Sequence, residues 1–227
     1  MTQPIPTGAD AVLGFLGGTG DQGRGLARRF ALAGHRVILG SRSAERAVQA
    51  AETLRSTVTE PALVEGAANE DAAAAADVVV VAVPWEGHDS LIRDLASKLA
   101  GKLVVDCVNP LGFDDRGAFA LPVPEGSAAE QAAAILPDST VVAAFHHISA
   151  VLLLDPAVAS IDTDVLVLGD DRAATDAVQA LVDRIDGMRG VYGGRLRNAG
   201  QIEALTANLV SINRRYKTHA GIKITGV

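Results

Sequence analysis

Residues Leu16–Gly25 read L-G-G-T-G-D-Q-G-R-G. Inside them, Gly18-Thr19-Gly20-Asp21-Gln22-Gly23 matches the spacing G-x-G-x-x-G. With 23 glycines in 227 residues, that spacing takes its meaning from its flanks. The apolar run Ala11–Leu16 before it reads as a strand. After it, Leu26 and Phe30 fall on a helical spacing over Gln22–Ala33, and Gly34 stops the helix. His35–Leu39 reads as a second strand. A strand, a glycine turn, a helix and a second strand make the start of a dinucleotide-binding unit. In that reading Gly18 permits the tight turn, Gly20 lets the backbone approach a diphosphate, and Gly23 lets the helix pack on the sheet. The free N–H groups of the helix start then face the phosphates.

The second strand runs into Ser41–Arg46, S-R-S-A-E-R. A site for NAD usually carries an acid here to hold the ribose hydroxyls. Gly40, Ser41 and Arg42 stand in its place, with Arg46 one turn on. A carboxylate would repel a 2′-phosphate, whereas a guanidinium grips one through two hydrogen bonds and Ser41 can add another. The expected ligand is therefore NADP rather than NAD.

Beyond this point strands and helices keep alternating. The spacing predicts helices over 43–56, 69–76, 88–99, 127–136, 172–185 and 196–218. Strands are expected over 63–66, 77–83, 103–108, 140–145, 164–168 and 190–192, and a Gly-, Pro- and Asp-rich loop over 111–124. The run Asp77–Val83, D-V-V-V-V-A-V, is apolar without alternation, as in a strand covered on both faces. The fold class is α/β: a doubly wound parallel sheet, Rossmann-type, with a C-terminal helical segment. The expected organisation is a flexible leader at 1–10, a nucleotide-binding domain at 11–194 and a helical segment at 195–227, in one compact unit.

Composition narrows the function. The chain is 48% apolar and 4% aromatic, suited to an aliphatic core under helices. Its single cysteine, Cys107, excludes an internal disulfide and a multi-cysteine metal site, and fits a reducing cytoplasm. The start lacks a basic region followed by an apolar one, so no signal peptide is expected. No apolar run is long enough to span a bilayer. A net charge of −7 argues against general nucleic-acid binding. That charge is uneven. Residues 189–227 carry seven bases and one acid, Glu203, so they are +6 against −13 for the rest. A basic end on an acidic body suits an anionic ligand, and equally a solvated face or a subunit contact.

In a doubly wound fold, ligands lie beyond the carboxyl ends of the strands. Val83-Pro84-Trp85 and Asp106-Cys107-Val108-Asn109-Pro110 end two neighbouring strands there. Trp85 and Cys107 read as packing residues. His146-His147 ends a further strand. Neighbours on a strand point to opposite faces, so one of the two is expected to face the crevice and the other to be structural. Hydrolase and metalloprotease motifs are absent.

Taken together, G-G-T-G-D-Q-G-R-G-L-A-R-R, G-S-R-S-A-E-R, N-E-D-A-A-A-A-A-D, V-P-W-E, A-F-H-H-I-S-A and the closing G-I-K resemble the F420-dependent NADP reductases, nearly end to end from Val12 to Lys223. The resemblance implies reversible hydride transfer between NADP(H) and the deazaflavin coenzyme F420, in a homodimer. It implies that Thr19 to Gln22, Ser41, Arg42, Arg46, Pro84 and Ala150 hold NADP, and that Val108-Asn109-Pro110 and Ala220-Gly221-Ile222 hold the deazaflavin. From their strand ends, Val83 and Pro84 are expected to line the nicotinamide and His146 to bond a ring carbonyl or nitrogen. The chain departs from archaeal-type members at Arg46, where they often have Lys, at Asn109 in a mainly apolar stretch, and in its polar leader. No crevice side chain looks like an essential acid, base or nucleophile. Hydride transfer between two cofactors needs none: it needs two rings held with reacting carbons about 3–3.5 Å apart. Reduction of a small imine or keto substrate, and non-catalytic NADP sensing, are the competing readings of the same glycine loop.

Overall fold

The computed structural model describes Gly8 and residues 11–227, so the expected leader at 1–10 lies outside the described residues apart from Gly8. The chain runs β1 (Val12–Leu16), α1 (Asp21–Leu32), β2 (Arg36–Ser41), α2 (Ala44–Arg55), β3 (Val64–Ala68), α3 (Asn69–Ala75), β4 (Val78–Val81), α4 (His88–Leu99) and β5 (Leu103–Asp106). It continues through β6 (Leu111–Asp114), β7 (Gly117–Ala120), α5 (Ala128–Ile135), β8 (Thr140–Ala143), α6 (Ala150–Leu154), β9 (Thr163–Leu168), α7 (Arg172–Val182), β10 (Met188–Gly194) and α8 (Ala199–Tyr216). Eight strands form one sheet in the order β10-β9-β8-β5-β4-β1-β2-β3. The chain starts at β1, works outward to β3, then returns to β4 on the other side of β1. Their carboxyl ends therefore diverge into the crevice where ligands sit in this architecture.

The unbroken apolar runs follow from the two covered faces. On β4, Val78 and Val80 join one core, while Val79 and Val81 join the other. On β5, Leu103 and Val105 face the first core and Val104 the second. Period-two alternation thus divides each strand between two apolar layers. Leu26 and Phe30 of α1, Leu54 of α2 and Val178 of α7 cover the first layer; Ile92 and Leu99 of α4 and Ala132 of α5 cover the second. Side-chain caps start three of the helices: Ser43 accepts from Arg46 N, Ser127 from Glu130 N and Asp171 from Ala174 N.

Three features differ from the sequence expectation. The sheet is not wholly parallel, because β9 pairs antiparallel with β8 through Ala143 and Leu168, and β10 then runs parallel to β9. A parallel return usually runs through a helix that covers the sheet. Between β8 and β9 the only helix is α6, five residues, and α1 holds this connection instead: Arg28 and Arg29 donate to the carbonyls of Leu152, Leu153 and Ala159. Second, the expected loop at 111–124 contains a hairpin, β6 on β7, with Leu111 opposite Ala120 and Asp114 opposite Gly117. Its turn is closed by Asp114 Oδ1 accepting from Arg116 N, with Gly117 at φ +118°. Third, α6 itself lies in a stretch to which the sequence assigned no element.

Candidate functional site at the carboxyl edge

Gly17, at φ +76°, makes the tight turn after β1, the role expected of Gly18. A Cβ on Gly18 would stand 2.9 Å from Leu39 Cα, so this position is held to glycine by the close approach of β2. A Cβ on Gly23 would meet Gly17 O at 2.8 Å, where the helix start packs on the loop. A Cβ on Gly20 would meet only Gly17 O, at 3.4 Å; the protein leaves that side of the loop open. Gly20 caps α1 without a side-chain acceptor, so the first N–H groups of the helix stay free for an anion. Thr19 lies in this loop. The Asp21 carboxylate turns along the helix to Arg24 at 2.6 Å, and Gln22 Nε2 donates to Phe145 O at 3.3 Å. Asp21 and Gln22 therefore offer a diphosphate their backbone rather than their side chains.

At the end of β2, Ser41 is buried and its Oγ accepts from Ser43 N at 3.3 Å. Arg42 and Arg46 are exposed, and neither guanidinium has an acidic partner among the described residues. The acid between them, Glu45, takes a hydrogen bond from Ser43 Oγ at 2.7 Å instead. Two unspent guanidiniums beside a serine and no carboxylate bonded to them form a donor set that fits a phosphate monoester.

The opposite wall starts at Val83 and Pro84. Val83 packs so close to the loop that a Cβ on Gly17 would come 2.7 Å from its Cγ1. Beyond β5, Val108 and Pro110 are buried, and the Asn109 side chain is spent on one partner. Asn109 Nδ2 donates to His146 O at 2.7 Å, and its Oδ1 lies 3.2 Å from His146 Nδ1. The polar residue in an apolar stretch thus acts as a clamp on His146. Thr206 of α8 donates to the same carbonyl at 3.0 Å.

The two histidines do not alternate on a strand as expected, because β8 ends at Ala143 and Phe145 takes φ +64°. They separate by other means. His147 Nε2 accepts from Leu166 N at 3.3 Å and so braces β9. His146 Nε2 is buried without a hydrogen-bond partner, the kind of atom a bound ring satisfies. Burial lowers both imidazoles to about 4, so both are neutral at pH 7. Ala150 opens α6, whose distal carbonyls are gripped by α1: Arg29 Nε donates to Leu153 O at 3.0 Å and Arg28 Nη1 to the same oxygen at 3.3 Å.

The antiparallel course of β9 brings the C-terminal stretch to this edge. Asp164 N donates to Ile222 O at 2.8 Å, and Ile222 N to Thr163 Oγ1 at 3.2 Å. A Cβ on Gly221 would meet Thr163 Oγ1 at 2.6 Å, and Ala220 N donates to Asn213 Oδ1 at 2.6 Å. His219 reaches Ser149, next to Ala150, at 3.3 Å. Part of the basic excess is consumed in this docking. Arg189 makes two bonds to Asp164, at 3.0 and 2.7 Å, and Lys223 pairs with Asp162 at 2.5 Å. Arg189 and its hydrogen bonds hold the Asp164 carboxyl at about 2. Arg214, Arg215 and Lys217 make no ion pair among the described residues.

Asp106 departs from expectation. It does not face the crevice but lies fully buried between α4 and α5, with Oδ2 2.6 Å from His88 Nε2. His88 Nδ1 lies 3.0 Å from Gln131 Oε1, while Gln131 Nε2 donates to Glu125. Glu203 of α8 caps α5 by accepting from Ala128 N and Ala129 N. Burial raises Glu203 to about 7. For His88, burial pulls the pKa down, and the charge and hydrogen bond of Asp106 outweigh it, so the net direction is up. The one sequence signal for this group was an acid inside the apolar strand L-V-V-D-C-V. Cys107 is a packing residue as expected; its thiol donates to Val81 O, and burial pushes its pKa up.

Among the described residues, no helix is long and apolar enough to cross a membrane. Residues 12–110 match the family model described as NADP oxidoreductase, coenzyme F420-dependent. Over 221 residues the chain is 41% identical to the F420-dependent NADP reductase of Methanothermobacter thermautotrophicus, covering 95% of each chain. It belongs to the F420-dependent NADP reductase family. A solved structure from Arthrobacter sp. FB24, provisionally assigned to the F420-dependent NADP reductases, superposes with a TM-score of 0.77 at 30% identity, over 95% of this chain and 99% of that one. The Streptomyces aurantiacus imine reductase shares the fold, with a TM-score of 0.55 at 20% identity, and this chain spans 61% of it. As an F420-dependent NADP reductase, the chain carries its Gly-loop and Ser41–Arg46 inside the matched 12–110 segment. His146 and the C-terminal stretch lie outside it.

Proposed function

We propose that this reductase transfers a hydride reversibly between NADP(H) and coenzyme F420 across the carboxyl edge of its sheet. One observation carries the reading: two walls of different chemistry meet at that edge, and the imidazole they present, His146, is lowered by burial to about 4 and so is held neutral rather than poised to exchange a proton. Gly18 to Gln22, with Ser41, Arg42 and Arg46, would hold the diphosphate and 2′-phosphate of NADP. Val83, Pro84 and Ala150 would border its nicotinamide end. Val108, Asn109 and Pro110, with His146 and Ala220 to Ile222, would border the deazaflavin, and residues 195–227 would complete that side. The two bound groups supply the redox chemistry between them: a hydride passes from nicotinamide to deazaflavin while one proton comes from water. The protein's part is to orient. His146, neutral and with Nε2 unspent, would offer a ring nitrogen or carbonyl one hydrogen bond without adding charge.

A groove of about 540 Å³ between β6–β7 and α8 is lined by Phe113, Asp114, Arg116, Ser211, Arg214 and Arg215, three bases to one acid. We assign it, with Lys217, to the anionic tail of F420. The exposed apolar residues Phe119, Val210, Ile212 and Tyr216 nearby fit a homodimer contact, and the lone buried thiol fits a cytoplasmic protein. The deciding experiment adds NADPH to oxidised F420 and protein and follows the visible absorbance of F420. Bleaching at catalytic protein concentration is expected. Absence of bleaching, with NADPH still bound, would leave a sensor or a reductase of another substrate.

A further inference from the structure

The buried pair His88–Asp106 lies behind the deazaflavin wall, and its hydrogen bonds do not end there. Asp106 uses one carboxylate oxygen for His88 Nε2, at 2.6 Å, and the other for Val108 N, at 2.9 Å. The second bond sets the backbone of the turn Val108–Pro110. The next residue, Asn109, clamps His146. Thr206 of α8 bonds the same His146 carbonyl. One helical turn before Thr206, Glu203 caps α5, and Gln131 of α5 returns to His88 Nδ1. The bonds therefore close a ring through α8, α5, α4, the end of β5, His146 and back to α8.

The protonation state follows from the partners. His88 Nε2 faces a carboxylate and Nδ1 faces an amide oxygen. That amide cannot be turned round, because its Nε2 donates to Glu125 Oε2 at 3.3 Å and the reverse would put oxygen on carboxylate. In this orientation both ring nitrogens of His88 can donate, and although burial lowers its pKa, the charge and hydrogen bond of Asp106 raise it overall; both side chains are fully buried. A buried ion pair is rarely a gain in stability over apolar packing. Its geometric effect is to fix both carboxylate oxygens, and through one of them the turn.

We propose that His88 and Asp106 are positioning residues for the deazaflavin, holding Val108–Pro110 and His146 in register with the NADP wall. The proposal rests on the hydride-transfer reading above. Neither residue touches the Gly-loop or Ser41–Arg46; His88 does pack on Trp85 beside Pro84, so it is Asp106, bonded to Val108 N, whose effect falls on F420.

The test measures steady-state constants for both substrates in the full-length protein. Asp106→Ala removes the acceptor of Val108 N and leaves His88 without its counter-charge. It is expected to raise the KM for F420 at least about tenfold, the size of a lost charge-assisted hydrogen bond, while the KM for NADPH stays within about twofold. Asp106→Asn keeps an oxygen for Val108 N and lets its amide donate to a neutral His88. It is expected to restore the F420 constant to within about threefold of wild type. Should Asp106→Ala fail to fold, His88→Phe carries the same comparison, since it keeps a ring beside Trp85, whose centroid is 5.5 Å from that of His88. Equal changes in both constants, or no change in the F420 constant, would overturn the proposal while leaving hydride transfer intact. A wild-type protein that fails to reduce F420 would instead refute the parent reading.

Discussion

The phosphate-binding wall assigned to NADP comes from one stretch of chain, Gly17 to Arg46, in which each element leads directly to the next. The wall assigned to the deazaflavin draws on residues near 108, 146, 206 and 221, from the ends of β5 and β8, from α8 and from the C-terminal stretch. The first is organised by local rules: a positive φ at Gly17, a close approach at Gly18, and a helix start with free N–H groups. The second is held by side chains that reach across the fold, Asn109 to His146, Thr206 to His146 and Asp106 to His88. A wall of the first kind survives changes elsewhere in the molecule. A wall of the second kind depends on partners far away in sequence.

That contrast can be broken by acid. His146 and His147 sit at about 4 in the fold, against about 6.5 in an unfolded chain. Between those values the unfolded chain binds protons that the folded one refuses, so stability falls as pH drops from about 6.5 to about 4. The loss is on the order of 3 kcal/mol for each buried ring. Glu203, at about 7 in the fold, offsets part of this by taking up its proton over the same range, so urea midpoints should fall for wild type and fall less for His147→Gln. Parallel curves would show that the buried rings are already charged.

The phosphate clamp gives the next largest effect and tests the first wall alone. Replacing Arg42 and Arg46 together by alanine should raise the KM for NADPH about a hundredfold, from two lost charge-assisted bonds. The KM for NADH should move by less than about twofold, because the phosphate is missing from that ligand. Equal effects on both would remove the assignment of this turn to NADP.

A smaller effect separates packing from binding in the same wall. Gly18→Ala places a methyl 2.9 Å from Leu39 Cα and from Phe15 O. Backbone must move, and the expected cost is about 2 kcal/mol of stability, read as a lower denaturation midpoint. An unchanged midpoint would mean that the loop relaxes freely. The mildest effect belongs to the surface of the second wall. Neutralising Arg214, Arg215 and Lys217 should weaken F420 binding about three- to tenfold at low salt and flatten its salt dependence, since exposed charges are screened. Undiminished low-salt affinity would free these residues from the tail.

The same contrast explains what could be read without coordinates. The sequence by itself determined the alternation of strands and helices, the buried character of β4 and β5, the glycine turn and the missing acid after β2. Each of these depends on residues within a turn or two of each other, where backbone sterics and period suffice. It placed His146 at the right edge for an incomplete reason, treating it as a strand residue although β8 had already ended. It also read the whole +6 segment as available charge, whereas Arg189 and Lys223 are consumed by Asp164 and Asp162. Only the tertiary structure decided the direction of β9, because that depends on where the connection 144–162 docks, and Arg28 and Arg29 of α1 hold it. Only the tertiary structure showed that Asn109 is a clamp and that Asp106 looks away from the crevice toward His88. Those roles are set by partners that chain folding, not chain order, makes neighbours.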